Sequence, residues 1–320
     1  MIHWGIIGCG FIAGRMAAVL DGRRDARLIG VASREKKKAA EFAARWRAPA
    51  SYDSYEALAR DPRVDAVYVA TIHPAHAAAV RLCLEQGKAV LCEKPLAMNA
   101  REAEELFSLA GERRVLLMEA MWTRLLPVWQ EIGRLCAEGS LGTILGFQAD
   151  FSDAAPYDPS RRIFSAELGG GALLDLGVYC LHMAFAVLGD DYQTLTAVGR
   201  SAPTGVDAFA AMTLTFPRGA VAQLTCGSDV VGPRSACIMG DGGYIEVPSF
   251  FGAREMTVCR SGEAPQHRLF EEIDGFHYEI DEFHRLLTEG RTLSDSVPPA
   301  ATLAVQRAMD DAMAQIRARG

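Results

Sequence analysis

The sequence lacks several features that would direct it to particular classes of protein. Its eight cysteines form no CxxC pair and no zinc-binding spacing, so we predict reduced, buried thiols rather than disulfides or a zinc site. No apolar run approaches the roughly 20 residues that span a bilayer. No cationic leader with a small-residue cleavage site precedes the first apolar segment. A secreted or membrane-spanning protein is therefore not expected.

The charge excludes further classes of partner. The 320 residues carry a net charge of -7, whereas proteins that bind nucleic acids or anionic membranes generally need a basic surface. Half of the residues are hydrophobic and 23% are charged, a composition typical of globular proteins without extended disorder. The length fits two domains. We therefore expect a two-domain protein whose partner is a small molecule.

The first 120 residues alternate strand-like and helix-like segments, which is the pattern of a parallel sheet with crossover helices. Strands are predicted at residues 3–8, 27–33, 66–71, 89–92 and 115–119. Helices are predicted at residues 11–20, 35–46, 76–86 and 99–110. The sequence thus predicts an α/β Rossmann domain over residues 1–122.

The second half has a different pattern of predicted elements, because strand-like segments follow one another without helices between them. Strands are predicted at residues 144–151, 194–200, 208–216, 221–229 and 235–239. Helices are predicted at residues 128–137, 172–188, 276–287 and 299–317. We expect an α+β domain over residues 123–320 with a large, mostly antiparallel sheet. The C-terminal helix could instead pack back on the first domain.

A glycine-rich turn lies between the first predicted strand and the first helix. Its residues match GxGxxA from Gly8 through Gly10, Phe11 and Ile12 to Ala13. The first glycine permits a tight turn, the second lets the backbone approach a pyrophosphate, and the small third residue allows close helix packing. Because the motif stands after a strand and before a helix, we favour dinucleotide binding over a purely structural turn.

The end of the second predicted strand distinguishes NADP from NAD. NAD enzymes usually place Asp or Glu there to accept hydrogen bonds from the ribose 2′-hydroxyl. This sequence has Ser33 and Arg34 instead, and a guanidinium can pair with a 2′-phosphate. A solvated arginine at the helix start is the alternative. The missing acid favours NADP, with NAD the weaker candidate.

Two further motifs carry ionisable groups. Glu93-Lys94-Pro95 follows a buried strand, at the sheet edge where ligands of open α/β sheets bind. A glycine-rich entry at residues 169–171 leads into an apolar helix that carries Asp175, Tyr179 and His182. Asp175 and Tyr179 are four residues apart and are predicted to share one helix face. For Tyr179 we favour a chemical role, and for His182 a satisfied core position.

In this order, the GxGxxA turn, the Glu-Lys-Pro motif and the Gly-Gly-x-x-x-Asp-x-Gly-x-Tyr helix resemble the glucose–fructose oxidoreductase/inositol dehydrogenase (Gfo/Idh/MocA) family. The resemblance covers essentially the whole chain. Residues 118–124 and 170–180 look closest to the branch of dimeric dihydrodiol dehydrogenases and NADP-dependent xylose dehydrogenases. The family implies an open-faced second sheet that pairs subunits, so a homodimer or a dimer of dimers is expected. Without the export signal and N-terminal arm of glucose–fructose oxidoreductase, a cytoplasmic enzyme that releases its cofactor is expected.

The resemblance also implies catalytic roles. Lys94 matches the family lysine that contacts substrate and nicotinamide, and the Lys94–Pro95 bond matches one that is commonly cis. Tyr179 matches the acid/base of the dihydrodiol branch, where inositol dehydrogenases have histidine. Asp175 matches a residue that binds substrate or orients the pair. The resemblance thus implies that Tyr179 takes the hydroxyl proton, that Lys94 assists, and that no metal is needed.

The remaining predicted site residues fall into two groups. A substrate pocket is predicted around Trp122, Phe151 and Phe276. Besides Lys94, predicted cofactor contacts are Gly8, Gly10, Phe11, Ile12, Ser33, Arg34, Thr71, His73 and Glu93. In the family, asparagine often stands at the position of His73. His73 and His76 are poor evidence for a metal site, because no third ligand lies nearby in the sequence.

The expected reaction is hydride transfer between NADP and a hydroxyl or carbonyl carbon of a sugar or trans-dihydrodiol. Two alternatives stay open. The same residues could serve mainly as a reductase of a keto-, deoxy- or anhydro-sugar. The chain could also be an NADP(H)-binding sensor without turnover, although the intact Lys94, Asp175 and Tyr179 favour an enzyme.

Overall fold

A computed structural model of the chain describes residues 1–271 and 273–319. Its contacts divide into two compact units. The first contains Met1–Ala120 and Phe276–Pro299, and the second contains the rest of the described chain from Met121 onward. The sequence-based division kept residues 276–299 in the second domain, whereas the structure groups them with the first unit.

The first unit is built on a six-stranded parallel sheet with the order β3-β2-β1-β4-β5-β6. The strands are β1 (Ile2–Ile7), β2 (Ala26–Ala32), β3 (Ala50–Tyr52), β4 (Ala66–Val69), β5 (Ala89–Glu93) and β6 (Leu117–Ala120). The helices are α1 (Phe11–Asp21), α2 (Lys36–Arg45), α3 (Tyr55–Ala59), α4 (His76–Glu85), α5 (Ala100–Arg113) and α8 (Gly275–Thr288). The predicted Rossmann fold is confirmed. Strand β3 and helix α3 were not predicted, since both are too short to show a hydrophobic period.

Helix α8 joins the first unit through a buried aromatic contact. The Trp4 indole N–H donates to His284 Nε2 at 3.0 Å, and the Trp4 and Phe283 rings lie 5.1 Å apart. The other histidine nitrogen, Nδ1, lies 3.1 Å from Asp25. Because Trp4 is fully buried in β1, residues distant in sequence complete the core of the parallel sheet.

The second unit is built on an eight-stranded sheet with the order β14-β13-β12-β11-β7-β10-β9-β8. The strands are β7 (Ile144–Ser152), β8 (Thr194–Ser201), β9 (Asp207–Thr215), β10 (Val221–Gly227), β11 (Ala236–Gly240), β12 (Gly243–Val247), β13 (Glu255–Arg260) and β14 (Gln266–Leu269). All neighbouring pairs are antiparallel except β7 and β10. The predicted α+β class is confirmed, and strands β12 to β14 were not predicted.

The sheet of the second unit has one covered and one open face. Along β10, Ala222, Leu224 and Cys226 are buried, whereas Gln223 is exposed. Helices α6 (Pro127–Ala137), α7 (Val178–Leu188) and α9 (Pro299–Arg319) also belong to this part of the chain. Because apolar and polar residues alternate along the strands, one face of the sheet is apolar. Helix α7 packs against this face at β7 and β10.

The structure corrects the predicted helix at residues 172–188. It begins as a π-helical turn over Leu173–Gly177 and continues as α7. A Cβ at Gly177 would lie 2.9 Å from Leu173 Cδ1 and 3.0 Å from Cys226 Sγ. The glycine therefore lets the wide turn pack directly against β10, which a regular pattern of apolar residues does not reveal.

The expectation about membrane-length segments also needs correction. By length and composition alone, Ala166–Leu188 is long and apolar enough to cross a bilayer. Within the protein, 72% of its most apolar window is buried. This is the burial expected of a core helix, and the segment is weak evidence for a membrane span.

All eight cysteines are free thiols. Four are buried, namely Cys83, Cys92, Cys180 and Cys226, and the other four are partly buried. Burial raises the pKa of the Cys83 thiol to about 12, so this group is protonated and unreactive at neutral pH.

Candidate active site

The glycine turn between β1 and α1 leaves room for a ligand to approach the protein backbone. Gly8 has a φ of 101°, and a Cβ there would lie 2.3 Å from the Ala70 carbonyl oxygen, so only glycine fits. A Cβ at Gly10 would meet no atom within 4 Å. The first turn of α1 carries no acidic side chain, and Ala13 is fully buried. The positive end of the helix is therefore open to a pyrophosphate, as the motif predicts.

The end of β2 carries positive charge. The Arg34 guanidinium hydrogen-bonds the Tyr55 hydroxyl, and burial raises the pKa of that tyrosine above its usual value. The Ser33 hydroxyl accepts the backbone N–H of Glu35 at 3.2 Å. Lys38 Nζ lies 2.6 Å from the Glu35 carboxylate, and its positive charge offsets the negative charge of Glu35. The arrangement suits a phosphate better than a bare hydroxyl.

His76 connects the loops that follow β4 and β5. It is fully buried, with Nδ1 at 2.9 Å from the Pro95 carbonyl oxygen and Nε2 at 3.2 Å from the Thr71 carbonyl oxygen. The Lys94–Pro95 bond is cis, as the resemblance implied. Burial lowers the pKa of His76, and a neutral ring donates to only one of the two carbonyls. Both nitrogens face carbonyls, so His76 is a structural bridge and not a metal ligand.

The acids near the Glu-Lys-Pro motif have structural partners. The Tyr68 hydroxyl donates to Glu93 Oε1. The buried Glu119 accepts the Leu96 backbone N–H at 3.0 Å and thereby holds the chain after the motif. Predicted cofactor contact by Glu93 stays a prediction. Glu119 was not identified from the sequence, although an acid inside the apolar segment at residues 115–121 was a usable signal.

Tyr179 lies in an aromatic pocket within the second unit. Its side chain is nearly buried, and the Trp122 indole N–H donates to its hydroxyl oxygen at 3.3 Å. The Phe151 ring meets it edge-on with centroids 5.3 Å apart, and Phe251 stacks on Phe151 at 4.4 Å. Two predicted pocket residues, Trp122 and Phe151, thus lie beside the predicted acid/base. Phe251 was not identified, because no local pattern marks it.

The third predicted pocket residue, Phe276, belongs to the first unit. It is buried to 3% exposure, and the Arg15 guanidinium lies 4.5 Å above its ring. The contact with substrate assigned to Phe276 stays a prediction. His182 is fully buried, and its backbone carbonyl accepts from Arg124 Nη1 at 3.1 Å, consistent with a core position.

The glycine-rich entry at residues 169–171 is shaped by two close approaches. A Cβ at Gly170 would lie 2.4 Å from the Arg162 carbonyl oxygen. Gly171 has a φ of 121°, and a Cβ there would lie 2.2 Å from Asp207 Oδ1. The other oxygen of Asp207 accepts the Leu173 backbone N–H at 2.6 Å. The carboxylate of Asp207 thus caps the turn that carries Asp175 and leads into Tyr179.

Asp207→Asn is expected to change how stability depends on pH. Burial raises the pKa of Asp207 to about 6, so the folded state holds this proton more tightly than the unfolded state, and stability falls as the pH rises from about 4 to about 6. From an unfolded value of about 3.9, the wild type should lose roughly 3 kcal/mol between pH 4 and pH 7. Asparagine can still accept the Leu173 N–H without this titration. Urea unfolding at several pH values measures the difference.

The exposed Glu246→Gln, which removes a carboxyl from the same sheet, is the control variant in this measurement. If Asp207→Asn and the wild type show the same pH dependence, the capping carboxylate does not titrate as described.

The fold and the glycine turn define a dinucleotide-binding oxidoreductase. The oxidoreductase family with an NAD-binding Rossmann fold matches residues 2–121, and the GFO/IDH/MocA C-terminal domain matches residues 129–246. The chain belongs to this Gfo/Idh/MocA family, as the motifs predicted.

Among its relatives are trans-1,2-dihydrobenzene-1,2-diol dehydrogenases. The one from Danio rerio is 36% identical, with 98% of this chain and 97% of the relative covered. The one from Homo sapiens is 34% identical, with 93% and 91% covered. The match over nearly the full length of both chains extends the family assignment to both units.

Solved structures show the same architecture. A 3-ketoreductase from Actinomadura kijaniata in complex with NADP and TDP-benzene superposes with a TM-score of 0.89 and 29% identity over 98% of both chains. An aldose-aldose oxidoreductase from Caulobacter crescentus complexed with glycerol superposes with a TM-score of 0.90. At 23% identity over 100% of this chain and 98% of that one, the latter shows the fold alone.

Proposed function

We propose that the chain is an NADP-dependent oxidoreductase that transfers a hydride between nicotinamide and a hydroxyl or carbonyl carbon of a sugar or a trans-dihydrodiol. The observation that carries this proposal is the Tyr179 hydroxyl, which receives the Trp122 N–H inside an aromatic pocket. The dihydrodiol dehydrogenases and the NADP-bound ketoreductase among its relatives support the substrate class and the cofactor.

The first unit fits a phosphorylated dinucleotide. The backbone at Gly8 and the open space beside Gly10 would admit the pyrophosphate, and Arg34 with Lys38 would hold the 2′-phosphate. Bound NADP⁺ supplies the nicotinamide carbon that accepts the hydride, and NADPH supplies the hydride in the reverse direction.

Arg34→Ala is expected to weaken NADPH binding roughly 10- to 100-fold, the range of a hydrogen bond to a charged group. NADH, which has no 2′-phosphate, should bind with nearly unchanged affinity. Titration of nicotinamide fluorescence measures both dissociation constants. Lys37→Ala, three residues further along in the first turn of α2, is the control, because its side chain is 89% exposed and pairs with Glu41. Equal weakening of both cofactors would contradict a phosphate contact.

The catalytic roles follow from the chemistry of the side chains. In oxidation, Tyr179 accepts the proton of the substrate hydroxyl, and in reduction it returns a proton to the carbonyl oxygen. The Trp122 N–H stabilises negative charge on the tyrosyl oxygen. Lys94 is proposed to contact the substrate and the nicotinamide. Asp175 orients the substrate.

A reductase of a keto-sugar is a second candidate, favoured by the 29% identity to the 3-ketoreductase. It uses the same groups with the opposite net direction. Assays with NADPH and keto-sugars therefore belong beside assays with NADP⁺.

The test is nicotinamide absorbance with NADP⁺ and a panel of xylose, glucose, other aldoses and a trans-dihydrodiol. Activity on one of these that is greater with NADP⁺ than with NAD⁺ is the expected result. Tight NADPH binding without turnover on this panel or on keto-sugars would contradict the proposal and favour a sensor.

We also propose that two copies pair through the open face of the second unit's sheet. Its outward side chains are mostly uncharged, and Gln148 Nε2 donates to Gln223 Oε1 at 2.9 Å on this face. The face forms a depression of about 520 Å³, and Val198 on it is 49% exposed. Light scattering should give the mass of two or four chains, and the mass of one chain would contradict this pairing.

A further inference from the structure

Asp175 has a charged partner that the family motif does not contain. Arg162 Nη2 lies 2.7 Å from Asp175 Oδ2. The two side chains are 36% and 16% exposed, so the pair is largely withdrawn from water while part of the guanidinium remains accessible. The contact is a charge-assisted hydrogen bond, which is stronger and more directional than one between neutral groups.

The position of Arg162 is fixed by the glycine-rich entry. Arg162 opens a short 3₁₀ turn, Arg162–Phe164, and Gly171 N donates to the Ile163 carbonyl oxygen at 2.9 Å. Gly170 N donates to the Ser165 carbonyl oxygen at 2.8 Å. The absence of a side chain at Gly170 lets the Arg162 carbonyl approach it. The arginine is therefore placed by backbone contacts on both sides of its turn, which keeps its geometry ready before substrate binds.

We propose that Arg162 determines substrate specificity by recognising, together with Asp175, the hydroxyl group next to the one that reacts. This inference rests on the proposed function and names the substrate class more narrowly as a vicinal diol. A sugar and a trans-dihydrodiol share that feature. Asp175 precedes Tyr179 by four residues on one continuous helical segment, and on this basis we assign the neighbouring hydroxyl to the ion pair.

The donor and acceptor inventory suits this task. A guanidinium carries five N–H donors, and a carboxylate accepts at about four lone-pair positions, so both groups can add a substrate contact to their mutual bond. A hydroxyl group can donate one hydrogen bond and accept another. It can therefore donate a hydrogen bond to the Asp175 carboxylate while it accepts one from the Arg162 guanidinium. Without the arginine, the carboxylate loses the charge-assisted hydrogen bond from Nη2.

The experiment compares Arg162→Met with Arg161→Met. Arg161 is the adjacent, exposed arginine, and its side chain donates to the Pro156 carbonyl oxygen at 3.3 Å. KM and kcat are measured with a diol substrate and with its analogue lacking the neighbouring hydroxyl, and NADPH affinity and thermal unfolding are measured in parallel. Arg162→Met should raise KM for the diol roughly 10- to 100-fold, while activity on the analogue changes little. Arg161→Met should match the wild type.

Two further variants keep the test decisive if Arg162→Met folds poorly. Arg162→Lys keeps the charge but loses the planar fork, so it should show a smaller, equally selective loss. Asp175→Asn removes the charge with which Arg162 pairs and should lower activity on the diol at least as much as Arg162→Lys does. Equal loss on the diol and the analogue in these variants would assign Arg162 a structural role and overturn the inference alone. A wild type that is silent on every substrate would overturn the proposed function itself.

Discussion

Tyr179→Phe is expected to lower kcat by about 10²- to 10⁴-fold, the usual contribution of a positioned general acid or base. Phenylalanine keeps the aromatic contacts with Phe151 and Phe251 but has no proton to exchange. NADPH affinity should stay within about twofold, because the glycine turn that would bind the cofactor is separate in sequence. Initial rates and fluorescence titration measure the two quantities.

Trp122→Phe is the matched comparison for this effect. It keeps an aromatic ring beside Tyr179 and removes the N–H that lies 3.3 Å from the hydroxyl oxygen. The loss in kcat should be roughly fivefold, since one hydrogen bond is worth about 1 kcal/mol. Should Tyr179→Phe reduce NADPH affinity and turnover to the same degree, the tyrosine is structural.

Gly170→Ala is expected to destabilise the second unit by about 3 kcal/mol, at the upper end for an overpacked position. The added Cβ would lie 2.4 Å from the Arg162 carbonyl oxygen and 2.6 Å from the Ile163 carbonyl oxygen. Both obstacles are backbone atoms and cannot rotate away. Chemical unfolding followed by tryptophan fluorescence measures the change.

Gly133→Ala is the opposite case in the same unit. Gly133 lies inside α6, and a Cβ there would meet no atom within 4 Å. Alanine should raise stability by about 0.5 to 1 kcal/mol through its better helix propensity. If both glycine variants shift the unfolding midpoint equally, the close approach of backbone atoms does not explain why position 170 requires glycine.

Most of the first unit could be predicted from the sequence because its signals are local. The buried strands read as continuous apolar runs, and the glycine motif at Gly8 stands where a strand gives way to a helix. Residues 276–299 could not be assigned to this unit in the same way. Their place depends on the Trp4 to His284 contact, which joins residues 280 positions apart.

The later strands of the second unit show a different limit. Strand β14 (Gln266–Leu269) is exposed and polar, so it carries no alternation of apolar residues that a pattern could detect. Its existence depends on antiparallel pairing with β13. Edge strands of this kind are specified by their neighbours more than by their own residues.

The residues of the candidate site also divide into those that local motifs predicted and those that depend on contacts distant in sequence. Tyr179, Trp122 and Phe151 were predicted through motifs and resemblance, and the structure brings them together. Arg162 and Asp207 were missed, because an ion pair or a helix cap formed across a loop or a strand leaves no fixed spacing in the sequence. An acid at the start of a strand of small apolar residues, as at Asp207 in β9, is a sequence signal of such a cap.

The contact between Trp4 and His284 also bears on the order of events during protein synthesis. Ribosomes add about 5 to 20 residues per second, so the indole emerges roughly 15 to 55 s before its histidine partner. Until then the nascent first unit lacks helix α8, and a side chain that is fully buried in the finished protein has one flank uncovered. The first unit therefore completes its core only after His284 has been synthesised, and until then part of its apolar surface stays in contact with solvent.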